Sequence, residues 1–185
     1  MRIKIFTVPL LFYILFANFF SLYGQKEWVE SCNKYYCYQL PDNWRKLDRI
    51  VKPIYFGDTI LLKEFRFTPK GIVKSGVLQI FLYQRKGGQK LDIKKKWGKD
   101  KVYYFSDKDK FSYQPLSIKQ KHGIVVKGEF MVRDGDSIIP YYAKIWYIQG
   151  EKYIYRISFG SYSNKVFEKF LPVIEKMIQT FHEKE

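Results

Sequence analysis

The chain has 185 residues, with 33 Lys+Arg against 18 Asp+Glu for a formal charge of +15, and 16 Tyr, 16 Phe and 4 Trp. An aromatic share of 19% argues against a natively disordered chain, which is typically poor in such residues. Two Cys and two His exclude a disulfide scaffold, a four-thiolate zinc site and a multi-histidine metal centre, while the length suits one domain with a real core.

Arg2 and Lys4 come first, and no further charge appears before Lys26. Between them Ile5 to Phe20 is apolar except for Thr7, Pro9 and Asn18. Charge, apolar run, then a small residue is the order of a secretory signal peptide, so residues 1–24 are expected to be a leader cut after Gly24. The competing reading is an uncleaved anchor, because the uncharged stretch from Ile5 to Gln25 is 21 residues and a spanning helix needs ~20. The chain is expected to be exported, periplasmic or extracellular, and residues 25–185 to form one domain with a formal charge of +13 once Arg2 and Lys4 are removed from +15.

Export makes a Cys32–Cys37 disulfide the first reading of the two cysteines. On one extended strand their Cα atoms would lie about 16 Å apart at ~3.3 Å per residue, far beyond the roughly 4.4–6.8 Å of a disulfide. A bridge therefore requires Asn33-Lys34 to turn, as those residue types can. The alternative leaves both thiols free, with Cys37 packed as a small apolar residue.

Tyr35 to Leu40 reads as a strand stopped by Pro41-Asp42-Asn43. Ile60 to Phe67 and Val77 to Arg85 read as two more, separated by turn residues Pro69, Gly71 and Gly76. Gly87-Gly88 opens a short amphipathic helix, Leu91 to Trp97, ended by Gly98, and Phe111 to Ile118 reads as a further strand. From Ile124 to Val132 apolar residues recur with period two. Asp134-Gly135 is a hairpin signal, because Gly accepts positive φ. Tyr141 to Ile148 follows with Pro140 at its start, then Gln149-Gly150 turns into a strand from Tyr153 to Phe159, completing an antiparallel meander.

The last element is a helix with Val166, Phe167, Phe170, Leu171, Ile174, Met177, Ile178 and Phe181 along one stripe and Ser163 as N-cap. Pro172 inside the pattern predicts a kink or break. Strands outnumber helices and do not alternate with them, which is an α+β pattern: a central antiparallel sheet with the C-terminal amphipathic helix packed on it and a short middle helix.

Tyr38-Gln39-Leu40-Pro41-Asp42-Asn43-Trp44, an aromatic strand running into Pro, a turn and Trp, resembles the opening of the PsbP-like family. The order that follows is similar to that family's as well, through Tyr153-Ile154-Tyr155 to the closing Thr180-Phe181, so the likeness covers about Tyr35 to Phe181. The resemblance implies an α/β sandwich around an antiparallel sheet and a non-catalytic accessory role. It supplies no binding residues.

Catalytic constellations are not legible. His122 and His182 lie in no nucleophile elbow. Asp107/Asp109 and Asp134/Asp136 sit in turns without the ligand series of a calcium loop, and no Gly-Lys-Ser/Thr follows Gly87-Gly88. The chain is therefore expected to be no enzyme and to need no cofactor or metal. The remaining signal is basic: Gln84 to Lys121 holds 12 Lys/Arg against 4 Asp, with Lys94, Lys95, Lys96 and Trp97 at its centre. Export makes nucleic acid a poor partner, so this segment is read as a contact for an anionic envelope surface or a protein complex, against a plain solvated face. A carrier for a small apolar ligand between sheet and helix is the alternative function, and an unrecognised hydrolase ranks last.

Overall fold

The computed structural model describes residues 27–46, 60–68, 76–84, 92–104, 109–118 and 121–184. The expected leader at 1–24, Pro69, Gly71, Arg85, Gly87-Gly88, Leu91 and Asp107 lie outside them. Asn33 turns the chain at the start: its Oδ1 accepts hydrogen bonds from the backbone N–H groups of Tyr35 at 2.7 Å and Tyr36 at 3.1 Å. This folds β1 (Trp28–Cys32) back along β2 (Tyr36–Pro41), a hairpin whose first strand the apolar pattern did not reveal. β3 (Arg45–Lys46), β4 (Ile60–Phe67) and β5 (Val77–Gln84) follow, then α1 (Ile93–Tyr104), β6 (Lys110–Ile118), β7 (Lys121–Asp134), β8 (Ser137–Gln149), β9 (Tyr153–Ser161), α2 (Asn164–Thr180) and β10 (His182–Glu183).

Among the described residues there are two antiparallel sheets, one of seven strands in the order β3-β4-β5-β9-β8-β7-β6 and one of three in the order β1-β2-β10. The α+β expectation holds, as does the meander: Gly135 takes φ 62° at the β7–β8 turn, where only a residue without Cβ is unstrained.

Side chains alternate across the large sheet and are buried on both faces of its middle strands. On β8, Trp146 and Ile148 join the core beneath α2, and Ala143, Ile145 and Tyr147 join the cluster beneath α1. The α2 stripe supplies Phe167, Leu171, Ile174, Met177 and Ile178, and burying each such side chain stabilises the fold by roughly 1.5–3 kcal/mol. The small sheet covers the same face. Tyr36 there packs against Phe181 and Tyr155, while Trp44 meets Phe159 and Phe170. The result is a sandwich with the large sheet in the middle.

Three expectations are refined. Of the kink or break expected at Pro172, the break does not occur: α2 runs from Asn164 to Thr180 as one helix, and Ser163 caps it by accepting from the Val166 N–H at 3.4 Å. Pro172 and Glu168, whose carbonyl loses its donor, are both exposed, so water can serve that carbonyl. Pro140 lies inside β8 rather than at its start, in the stretch before pairing with β9 begins at Tyr142, where the strand has a neighbour on one side only.

The middle helix is longer than expected and passes through Gly98. That glycine is exposed, and a Cβ there would meet nothing within 4 Å. Gly98→Ala should therefore stabilise the protein by about 1 kcal/mol, or ~3 °C in Tm, because alanine loses less backbone entropy on forming a helix. A melting curve at neutral pH checks this, and an unchanged or lower Tm would show that the helix gains nothing there.

The two sheets are joined by a polar cluster as well as by apolar packing. Tyr36 and Tyr38 on β2 donate to the two oxygens of Glu64 on β4 at 2.9 Å and 2.5 Å. Arg66 Nε donates to Glu64 at 2.8 Å and its Nη2 reaches Ser31 Oγ on β1 at 2.6 Å. Glu64 is 7% exposed, and these partners satisfy the hydrogen-bonding capacity that burial takes from water.

Candidate functional site

Helix α1 has two unlike faces. Ile93, Lys96, Trp97 and Asp100, at i, i+3, i+4 and i+7, turn toward the sheet, and Lys94, Lys95, Gly98 and Lys99 turn to water. Asp92 sets the start, its Oδ1 accepting from the Lys94 N–H at 2.9 Å. Trp97 packs against Phe111, Tyr113 and Tyr147. Tyr113 itself is 61% exposed on edge strand β6, so an open aromatic ring stands beside a helix whose outward positions carry three lysines.

The four residues expected to meet an anionic surface therefore divide. Lys94 and Lys95 are exposed. Lys96 and Trp97 are buried, with 6% and 7% exposure, and cannot form such a contact. Reading the four residues as one contact patch missed the helical period, which sends every third or fourth residue inward. Lys99, not singled out from the sequence, takes their place on the outer face.

Beneath α1, Lys96 Nζ lies 2.8 Å from Asp100 Oδ1 and 4.2 Å from the centre of the Tyr83 ring. Tyr147 donates to the other Asp100 oxygen at 2.8 Å, and Arg156 Nε donates to the Tyr147 hydroxyl at 3.3 Å and stands 3.9 Å from that same carboxylate oxygen. Burial raises the Tyr147 pKa: Arg156 opposes this and Asp100 reinforces it. For Arg156, burial favours the neutral form, but Tyr147, Tyr83 and Asp100 outweigh it and hold the guanidinium charged. This network fixes the helix and hence the direction of its lysine face.

Cys32 and Cys37 form a disulfide across the β1–β2 hairpin, with their Cα atoms 4.1 Å apart. Glu30 lies near both sulfurs, but sulfurs joined in a disulfide are not thiolate ligands. His122 and His182 are both exposed on strands, and His182 pairs with Cys37 through β10. Asp109 accepts from the Met131 N–H at 2.8 Å, a structural role. Among the described residues no helix is long and apolar enough to cross a membrane.

A groove of about 270 Å³ lies between α2 and strands β6, β7 and β8. Leu116, Val125 and Trp146 form its buried floor, and Gln114, Gln179, Lys144 and Glu175 form its walls. It is smaller than the ~300 Å³ at which pockets for drug-sized ligands begin, and its polar rim does not suit a long apolar ligand.

No family model matches the chain, and no curated protein matches it. Solved structures do. LpqN of Mycobacterium tuberculosis, described as involved in cell envelope biogenesis, is similar at 8% identity over 88% of both chains, with a TM-score of 0.54. A Bacteroides thetaiotaomicron protein is similar at 12% identity over 87% of this chain, with a TM-score of 0.55, and this chain spans 49% of its length. A cyanobacterial PsbP from Synechocystis reaches a TM-score of 0.48 at 12% identity, over 87% of this chain and 95% of that one. Its likeness is too distant to carry an argument. At such identities the neighbours share a fold, and none assigns a reaction or a family.

Proposed function

We propose that this is an exported, non-catalytic accessory protein that docks on an acidic surface of the cell envelope through the outer face of α1. One observation carries the reading: Lys94, Lys95 and Lys99 are all exposed on one side of a helix whose other side is pinned by a buried ion network. A charged face held in place gives up less freedom on binding than lysines on a loose chain. The exposed ring of Tyr113 beside it suits a boundary between water and a less polar surface. The envelope description of LpqN, which shares the fold, supports the location.

The test is sedimentation of the purified mature chain with vesicles rich in phosphatidylglycerol and with neutral phosphatidylcholine vesicles. Near an anionic surface each lysine contributes about 1 kcal/mol, so the Lys94→Ala/Lys95→Ala/Lys99→Ala variant should bind about 100-fold more weakly. The substituted side chains are exposed, so the melting temperature should hold. Binding should also fall between ~0.15 M and ~0.5 M salt as charge contacts are screened. Capture from envelope extract in parallel separates a lipid surface from an acidic protein partner. Equal binding by the variant and the native chain in both arms would exclude this face as the docking site.

A further inference from the structure

We infer that the groove between α2 and the β6 edge is a binding site for a neutral, ring-sized, hydroxyl-rich ligand: one sugar residue of a glycan chain. Its chemistry is narrow. Lys144 on β8 and Glu175 on α2 meet across it with Nζ and Oε1 2.6 Å apart. The two charges cancel, so a charged ligand would have to break that pair or find its counter-charge outside the lining.

The other two wall groups are amides. Gln114 and Gln179 are exposed, and each side chain offers both a donor and an acceptor. Gln179 is further placed by Lys121, whose Nζ donates to its backbone carbonyl at 3.1 Å. A sugar hydroxyl also donates and accepts, which is the match such a rim selects. The floor is apolar, with Leu116 and Val125 each 5% exposed and Trp146 2%, and it suits the C–H face of a pyranose.

Size and topology exclude the alternatives. A volume of about 270 Å³ is too small for an acyl chain and large enough for a single ring. A peptide adding to the sheet would need a continuous row of donors on the free edge of β6. Met131 on β7 directs its N–H toward Asp109, on the β6 side. By strand alternation, β7 residues of that parity bond β6 at Lys110, Ser112, Gln114 and Leu116, which leaves Pro115 facing the free edge without a donor. The groove is a surface cleft rather than an enclosed cavity, so a chain can continue beyond the ring held in it.

The experiment is NMR titration of the mature chain with three neutral tetrasaccharides, built from β-1,4-glucose, β-1,4-N-acetylglucosamine and α-1,6-mannose, beside a polyuronate and an unstructured peptide mixture. At least one neutral sugar should shift the side-chain amides of Gln114 and Gln179 and the indole N–H of Trp146. Gln114→Ala/Gln179→Ala should weaken that sugar about tenfold, with the melting temperature and the vesicle binding of the lysine face unchanged. Those two controls keep failure of this site distinct from failure of the docking reading. No neutral sugar bound at about 10 mM, binding mapped outside the groove, or binding of polyuronate or peptide alone would overturn the inference.

Discussion

Raising the pH above 10 should unfold this protein steeply, at a cost of about 5 kcal/mol of stability per pH unit. Four tyrosines carry the effect: Tyr36, Tyr38, Tyr147 and Tyr155 are each 1% exposed or less, and all four hold their protons more tightly than the ordinary value of 10.0. Burial is the largest cause in every case. The neighbouring carboxylate adds to it: Glu64 for Tyr36 and Tyr38, Asp100 for Tyr147 and Glu183 for Tyr155. Tyr141 behaves likewise, pushed up to about 12 by burial and by Tyr162.

The unfolded chain releases these protons near pH 10 and the folded chain keeps them, so the native state binds more protons and stability falls as pH rises. Below pH 10 the contribution is complete. Each tyrosine adds about 1.4 kcal/mol per pH unit to the slope, and a total stability of roughly 5–15 kcal/mol would be exhausted within about one to three units. Denaturant melts at stepped pH, with phenolate absorbance and far-ultraviolet circular dichroism followed together, test this. The last phenols to ionise should do so together with the loss of secondary structure, and Tyr36→Phe should flatten the slope by about a fifth to a quarter. Phenolate formation by all 16 tyrosines near pH 10 with the dichroism intact would show that these hydroxyls are not held as described.

What the sequence revealed depended on how local each signal was. The α2 stripe was legible because its residues recur at the helical period within one segment, and the β7–β8 turn because Asp134-Gly135 is a two-residue signal. β1 was missed because only Trp28 and Ser31 of its five residues are even partly buried, so it has no alternating apolar pattern to read. The Tyr36–Glu64 hydrogen bond joins residues 28 apart, and the groove gathers Gln114, Lys144 and Gln179 from three elements. Only the assembled fold creates such neighbours. Lys96 is different. It stands i,i+4 to Asp100 and shares the helical spacing of Ile93, Trp97 and Asp100, so the period of the helix by itself assigns this lysine to the inward face.

That inward lysine leads to the second large effect. Asp100→Asn keeps the side-chain shape but removes the carboxylate that Lys96 and Arg156 share, and it should destabilise the protein by about 3–5 kcal/mol. Asp100 is 3% exposed and Lys96 6%, so water cannot replace the lost charge without opening the helix–sheet contact. Adding Lys96→Met removes one of the two cations beside that position and fills the same space, so the double variant should recover part of the loss, with a coupling of about 0.5–3 kcal/mol. Chemical denaturation of the four proteins in the cycle measures this directly. A single-variant cost below about 1 kcal/mol would mean that the network is not what holds α1. The two effects also connect stability to docking. Asp100 is buried away from the proposed docking face, yet it orients the helix carrying Lys94, Lys95 and Lys99, so Asp100→Asn should weaken vesicle binding while leaving every exposed lysine in place. Lys96→Met/Asp100→Asn should restore binding in proportion to the stability it restores, because the loss arises from a loosened helix rather than from a missing contact.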